Sequence, residues 1–290
     1  MHWLALSLIC AFALASSDAA AKHWMRSAGA REMVVVRLGL SGLLLTPWVL
    51  TFELPPLPLP FWGWLAVLMP LELIAMLLYM RAIRDHPLAL TVPYLAFTPV
   101  LVVVTGWIVL GETVSGIGLL GILLVVAGSW LLNFEQASRL TPATLLAPLR
   151  AIVVNRGSRL MLITAAIYAL TSVGGKAAMA WMPPAQFGAF YFALLGALTL
   201  VMVAITKPSA LRVNRYGGLA ILVVAGFMAI MVVTHFMALA QVEAAYMIAV
   251  KRSSLLFGML YGAMLFGERH LSRHLLAGAL MVGGVVAIAL

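Results

Sequence analysis

The sequence predicts an all-α integral membrane protein with ten transmembrane helices, arranged as two inverted repeats of five helices each. Three observations lead to this prediction: the composition, a series of apolar runs and an internal repetition. Of the 290 residues, 64% are hydrophobic and 9% are charged, whereas a soluble domain carries about a quarter charged residues. We therefore expect lipid rather than water around most of the chain.

The apolar runs set the number of helices. A membrane-spanning helix needs about 20 predominantly apolar residues, and runs without period-2 alternation favour helices over a β-barrel. Ten runs predict one transmembrane helix each: residues 3–22, 33–52, 61–81, 88–110, 114–133, 158–180, 185–205, 217–238, 243–267 and 271–290. We assign residues 1–133 and 158–290 as two five-helix domains, joined by a linker at 134–157 that is too short to fold alone.

The first run has a second interpretation. Its apolar core ends in small residues, as the core of a cleaved signal peptide does. Against this, the run lacks a basic amino-terminal region, and Asp18 and Lys22 follow directly. We therefore expect it to be the first transmembrane helix, with Cys10, the single cysteine, as a packing residue inside it.

Basic residues predict the orientation. Of the 18 lysines and arginines, 14 fall in the odd-numbered connections, and the other four lie within runs. Because basic residues concentrate on the cytoplasmic side, we expect the odd connections and the linker in the cytoplasm. Both termini would then lie on the non-cytoplasmic side of the cell (inner) membrane. The net charge of +9 is explained by this topology, so we expect no nucleic-acid partner.

The two halves of the sequence repeat each other. At a separation of 156 positions, the step Gly111-Glu112 matches Gly267-Glu268. Nearer the start the separation is 154, and Lys22 matches Lys176. An odd number of spans per half inverts the second half relative to the first. Inverted repeats are typical of transporters that bind their substrate near the membrane midplane.

These features resemble the EamA-type branch of the drug/metabolite transporter superfamily, and the resemblance covers the whole chain. The residues that carry it are the two Gly-Glu steps, each followed by a glycine-rich closing run, together with Lys22, Arg37 and Pro99. The resemblance implies ten helices in two inverted repeats, alternating access, and export of small metabolites or amino acids. Two departures stand out: many members have cytoplasmic termini, and Lys251–Leu255 occupy the region of the family's ninth-span proline.

The glutamates at helix junctions have a structural interpretation. Glu112 and Glu268 each follow the glycine of a Gly-Glu step, so we assign Gly111, Glu112, Gly267 and Glu268 as structural motif residues. An acid at a helix N-terminus is stabilised by the positive end of the helix. We expect these two glutamates to fix the turns before the last span of each half, and Glu243 to cap the ninth helix.

Two carboxylates lie inside spans, where a charge costs about 2.5–3.5 kcal/mol at the helix centre. Glu72 is eleven residues into the third run, too deep to reach the interface. We predict for it a cationic partner, a substrate-binding role or proton coupling. Asp18 is a second candidate for proton coupling, although at four residues from Lys22 the two could neutralise each other. The side chain of Arg37 could face the interior of the helix bundle or extend to the cytoplasmic interface.

Lys251 and Arg252 are adjacent cations deep in the ninth run. Neighbours differ by about 100° around a helix, so at least one should face the bundle interior. On one continuous helix, Ser254 would share a stripe with Lys251. A structural ion pair of either cation with Glu72 or Asp18 is the alternative to solute binding, for which the arginine fork suits carboxylate or phosphate. We predict substrate-binding roles for Lys251, Arg252, Ser254, Tyr246 and Glu72.

Together these observations predict a secondary transporter, an exporter of a small metabolite such as an amino acid or organic anion, that works by alternating access. The alternative is a translocase of a lipid-linked phosphate or sugar. An enzyme is not expected, because the six histidines are scattered and the sequence has no phosphate loop or nucleophile elbow. We expect no cofactor and no metal. The expected partners are a small-molecule substrate and the lipid bilayer, with a monomer as the working unit and a homodimer as the alternative.

Overall fold

The computed structural model describes residues 2–86, 92–132, 155–266 and 275–290. Within these ranges the chain forms helices and connections, without a β-strand, as the sequence predicts for an all-α protein. Seven helices in the described ranges are long and apolar enough to cross a membrane: Trp3–Trp24, Ala30–Val49, Leu59–Ile83, Arg156–Trp181, Pro184–Thr206, Gly218–Leu239 and Ala244–Leu265. They are accompanied by three shorter apolar helices: Tyr94–Leu110, Gly116–Leu131 and Leu276–Ala289.

The α-helices are numbered in chain order. The first half of the chain contains α1 (Trp3–Trp24), α2 (Ala30–Val34), α3 (Ser41–Val49), α4 (Leu59–Asp85), α5 (Thr98–Leu110) and α6 (Gly116–Leu132). The second half contains α7 (Arg156–Ala178), α8 (Pro184–Thr206), α9 (Gly218–Leu239), α10 (Ala244–Lys251), α11 (Ser254–Phe266) and α12 (Leu275–Ala289).

Three of the helical runs change their geometry part of the way along. A π-helical segment, Val35–Leu40, joins α2 to α3, and a 3₁₀-helix, Val92–Phe97, precedes α5. A turn separates α10 from α11, so that Lys251 ends one helix and Ser254 begins the next. The ninth run is therefore one span, Ala244–Leu265, whose helix a turn at Arg252 and Ser253 interrupts. Mid-helix changes of this kind often mark functional sites.

Helices of the two halves pack against each other. In particular, α1 packs along α9 and α11, while α4 and α5 pack along α7. Two further pairs are α3 with α8 and α6 with α12. At the first of these crossings Gly42 meets Gly196, and a Cβ on Gly42 would overlap the carbonyl oxygen of Phe192. Glycine at such a crossing lets two backbones approach closely, which joins the halves.

Candidate functional site

A cavity of about 160 Å³ is lined by residues of both halves. Apolar side chains and tyrosines form part of its wall, and a group of ionisable side chains forms the rest. The charged and imidazole groups of the wall are Asp18, Arg37, Glu72, His235, Lys251 and Arg252. The structure therefore brings Asp18, Glu72, Lys251, Arg252 and Ser254, all singled out from the sequence, to one place.

Residues related by the sequence repeat line this cavity in pairs. At the separation of 156 positions, Tyr79 corresponds to His235, and both lie in the wall. By the same count Leu95 corresponds to Lys251, and both line the cavity again. The second half thus places ionisable groups where the first half has a phenol and a leucine. The site is asymmetric although the helices around it repeat.

The interrupted helices present their ends to the cavity. Lys251 occupies the last turn of α10, where the negative end of the helix dipole favours a cation. Ser254 is the first residue of α11, and its repeat counterpart Thr98 is the first residue of α5. Both hydroxyl residues line the cavity. Both residues therefore lie at helix interruptions beside the cavity, where the backbone N–H groups of Leu255 and Leu256 stay bonded to carbonyls of the preceding turn.

Lys251 contacts a histidine rather than a carboxylate. Its Nζ lies 3.3 Å from Nδ1 of His235, which projects from α9 and is 7% exposed. Among the described residues, neither Lys251 nor Arg252 forms an ion pair. The alternative interpretation from the sequence, a structural ion pair with Glu72 or Asp18, is therefore not formed in this conformation.

Arg252 has hydrogen-bonding capacity that the protein does not use. Its Nε is buried and has no hydrogen-bond partner within the described part of the chain, and the side chain lines the cavity. Leaving a buried donor without an acceptor costs about 1–3 kcal/mol, and more for charged groups. The guanidinium therefore adds a positive charge to the cavity wall without an ion-pair partner among the described residues.

The partner of Asp18 is Arg37, whereas the sequence spacing suggested Lys22. Oδ1 of Asp18 lies 2.5 Å from Nη1 of Arg37. Arg37 is 3% exposed, so it does not reach the interface, and its Nη2 also contacts the sulfur of Met228 at 3.5 Å. The π-helical segment that carries Arg37 places the guanidinium in the cavity wall, where Asp18 can neutralise it.

Glu72 lines the same cavity from α4. Thr171 on α7 lies beside its carboxylate and lines the cavity as well. The cationic partner expected from the sequence is not in direct contact, since within the described ranges no ion pair involves Glu72. The cavity therefore contains Glu72, a carboxylate without an ion-pair partner in the described ranges, together with Lys251 at the end of α10 and Arg252 directly after it.

Tyr246 lies away from this wall. Its hydroxyl accepts a hydrogen bond from the backbone N–H of Ser115 at 2.7 Å and contacts Ser115 Oγ at 3.3 Å. A Cβ on Gly118 of α6 would overlap the Tyr246 side chain. The structure thus places Tyr246 in the contact between α10 and α6, with its ring directed toward the first half of the chain.

The first Gly-Glu step closes α5 and reaches the second half. Gly111 adopts the left-handed conformation (φ 68°) that favours glycine at a helix C-terminus. The next carboxylate, Glu112, accepts from the backbone N–H of Ala244 at 2.8 Å. Glu112 therefore caps α10 of the other half rather than the following helix. Glu243 occupies the N-cap position of α10, but its side chain makes no capping hydrogen bond.

Three features predicted or missed by the sequence remain: the second Gly-Glu step, His235 and the Asp18–Arg37 pair. Gly267 and Glu268 lie outside the described residues. The sequence interpretation missed His235, treating it as one of six scattered histidines, and it did not pair Arg37 with Asp18. The repeat could have pointed to His235, because this residue corresponds to Tyr79 in the third span. The Asp18–Arg37 pair depends on a π-helix, for which a local sequence pattern gives no signal.

Comparisons with known proteins agree with this architecture. The EamA-like transporter family matches residues 1–134 and 155–290. Among curated proteins, no significant match is found. One solved crystal structure superposes with a TM-score of 0.76 and covers 99% of this chain and 98% of its own, at 18% sequence identity. At that identity the likeness shows the fold.

Proposed function

The chain belongs to the EamA-like transporter family, and from this premise we propose that it is a secondary transporter, an exporter of a small metabolite with an anionic group. The family makes it a multi-pass membrane transporter. The solute, the direction and the mechanism are our proposal. An amino acid or a small organic anion fits the polar groups of the cavity and its volume of about 160 Å³.

The observation that carries this proposal is the placement of Lys251 and Arg252. Both line a cavity between the halves, at a break between two helices, without an ion-pair partner among the described residues. Charges inside a membrane bundle are costly and normally face its interior or an aqueous cavity. An anionic solute in the cavity would neutralise them.

We propose ten transmembrane helices in two inverted five-helix repeats as the scaffold for alternating access. Seven long and three shorter apolar helices in the described ranges support this count. The contacts support the inversion, since the packing of α1 on α9 and α11 is mirrored by the packing of α7 on α4 and α5. Rocking of the two bundles around a fixed site would expose the cavity to each side in turn.

The basic connections favour an inner-membrane protein with both termini outside the cytoplasm.

The proposal is tested by transport in proteoliposomes. Vesicles containing the purified protein are incubated with a panel of amino acids, hydroxy acids and phosphate esters, and the internal solute is quantified by mass spectrometry. We expect saturable uptake of at least one carboxylate or phosphate solute, and a loss of more than tenfold in the Lys251→Ala/Arg252→Ala double variant. Arg212→Ala is the matched control, since Arg212 is an exposed cation between α8 and α9.

Two outcomes would change the proposal. Wild-type uptake by the double variant would remove the cations from solute binding. Movement of a fluorescent lipid-linked phosphate between leaflets, lost in the same double variant and without uptake of any soluble anion, would replace the proposed solute with a lipid-linked one. In both cases the family membership stands, and the solute class changes.

A further inference from the structure

We propose, resting on the transporter function above, that the His235–Lys251 pair is the proton-binding site of this protein and takes up one proton when an anionic solute binds, so that solute and proton leave together and the outward gradient of the solute drives export. The two side chains come from different helices, α9 and α10, and both line the central cavity. No metal, second solute or further cofactor is needed, because the ligand in question is a proton from water.

The geometry of the contact limits its charge. Nζ of Lys251 and Nδ1 of His235 are 3.3 Å apart. An ammonium group has three donors and no acceptor, so Nδ1 must offer a lone pair if Lys251 is charged. If His235 donates from Nδ1 instead, Lys251 must be the neutral amine. In either arrangement the hydrogen-bonded pair carries fewer protons than its full capacity.

The surroundings oppose a second charge on the pair. His235 is nearly enclosed, at 7% exposed, so water cannot solvate an added charge well. Two guanidinium groups face the pair as well, although Asp18 neutralises one of them. The titratable groups that line the cavity with the pair are Asp18, Arg37, Glu72, Tyr79, Tyr168, Tyr191 and Arg252, and Cys10 of α1 lies near Lys251.

An anion in the cavity reverses this balance. A carboxylate or phosphate in the cavity would lie beside Arg252, at the wall that also contains His235 and Lys251. A negative charge at that position stabilises the doubly charged form of the pair, so a proton binds when the anion binds. Linkage is reciprocal, and therefore acid pH strengthens anion binding by the same factor.

Two carboxylates compete for the proton-binding role. Asp18 is already engaged with Arg37, at 2.5 Å, which leaves the Asp18 charge compensated. Glu72 lies beside Thr171 and could also take up a proton beside an anion. The choice between Glu72 and the His235–Lys251 pair is decided by substitution.

The experiment measures proton uptake during anion binding. Purified wild-type protein in weakly buffered detergent is titrated with sodium acetate, sodium sulfate and sodium methanesulfonate, whose anions stay ionised between pH 6 and 8. A pH indicator reports protons, and intrinsic tryptophan fluorescence reports binding. We expect up to one proton taken up per bound anion, and an apparent Kd that falls by up to about tenfold for each unit decrease in pH.

The His235→Asn variant separates the two parts of the pair. The introduced amide would offer an oxygen as an acceptor for Lys251 but could not take up a proton, so anion binding should persist without proton uptake and without pH dependence. His235→Gln is a second variant with the same chemistry, in case the first folds poorly. In Glu72→Gln the affinity can change, but the number of protons per bound anion should stay at the wild-type value.

The results that overturn the inference are distinct from failure of the proposed function. Proton uptake that persists in both histidine variants, that disappears in Glu72→Gln, or that accompanies none of the three anions would remove the pair from proton binding. The proposed function is judged separately by the Lys251→Ala/Arg252→Ala transport assay. A solute that needs both cations but binds without a proton would retain the function and refute this inference.

Discussion

Glu112 and Lys176 form an ion pair between the two halves of the protein, with Oε1 of Glu112 2.5 Å from Nζ of Lys176. Lys176 lies in the last turn of α7 and also donates to the carbonyl oxygen of Val242 at 2.6 Å. With the second carboxylate oxygen on the Ala244 N–H, one side chain of the first half holds the ends of two helices of the second.

Glu112→Gln should destabilise the protein by about 2 kcal/mol, the usual worth of a hydrogen bond to a charged group. The amide can still accept from Ala244, but the ion pair is lost and the partly buried Lys176 keeps only the Val242 carbonyl as its partner. The free energy of unfolding in detergent, or the thermal midpoint of the purified protein, measures the effect.

Glu53→Gln is the matched control for this prediction. Glu53 is an exposed acid in the connection before α4, so the same chemical change should leave the thermal midpoint at the wild-type value. Equal midpoints for the two variants would show that the Glu112–Lys176 pair does not stabilise the contact between halves.

Gly42→Ala should weaken the crossing of α3 and α8. A Cβ at Gly42 overlaps the Phe192 carbonyl oxygen and lies 2.9 Å from the Cα of Gly196, so the helices must move apart. Overpacking of this kind costs about 1–3 kcal/mol. Gly63→Ala on α4 has no atom within 4 Å of the new Cβ and should be neutral or slightly stabilising, since alanine favours helix. A midpoint for Gly42→Ala at or above that of Gly63→Ala would contradict the close crossing.

The sequence predicted the positions of the helices well, because length and apolar character are local properties. The spans expected at 3–22 and 185–205, for example, are observed as Trp3–Trp24 and Pro184–Thr206. It also led to the cavity, because intramembrane charges such as Glu72 are costly unless they face an interior space. Residues 134–154 and 267–274, which include most of the linker and the second Gly-Glu step, lie outside the described ranges.

What the sequence did not predict depends on partners distant along the chain. Glu112 was assigned to its own turn, but its carboxylate reaches Ala244, which lies in the other half. The turn after Lys251 was not expected, because no proline or glycine lies between residues 244 and 257 to signal a helix break. His235 was not singled out, because its contact with Lys251 depends on the packing of two helices.

Asp18→Asn should destabilise the protein more than removing both charges does. The single variant leaves Arg37, 3% exposed, without its ion-pair partner. Because the Asp18 side chain is 42% exposed and water screens the pair, we expect a loss of about 1–3 kcal/mol, the cost of a buried donor without an acceptor. The Asp18→Asn/Arg37→Gln double variant removes the uncompensated charge, so part of the stability should return. Thermal midpoints of the wild type, both single variants and the double variant form a double-mutant cycle. Additive losses would show that the two side chains do not interact energetically.

Tyr246→Phe distinguishes a structural tyrosine from a solute-binding one. Removing the hydroxyl leaves the Ser115 N–H without its 2.7 Å acceptor, so we expect a loss of about 1–3 kcal/mol in the free energy of unfolding. The ring still packs over Gly118, and the cavity wall is untouched, so the apparent Kd for acetate should stay at the wild-type value.

Tyr79→Phe is the comparison variant. The Tyr79 side chain lines the cavity, so removing its hydroxyl should alter the apparent Kd for acetate. Both quantities are measured on the same preparations, thermal unfolding for stability and tryptophan fluorescence for binding. If Tyr246→Phe kept wild-type stability and weakened acetate binding, Tyr246 would belong to the solute site, as the sequence spacing first suggested. The opposite pattern would assign it to the contact between α10 and α6, where its hydroxyl holds the start of the closing helix of the first half.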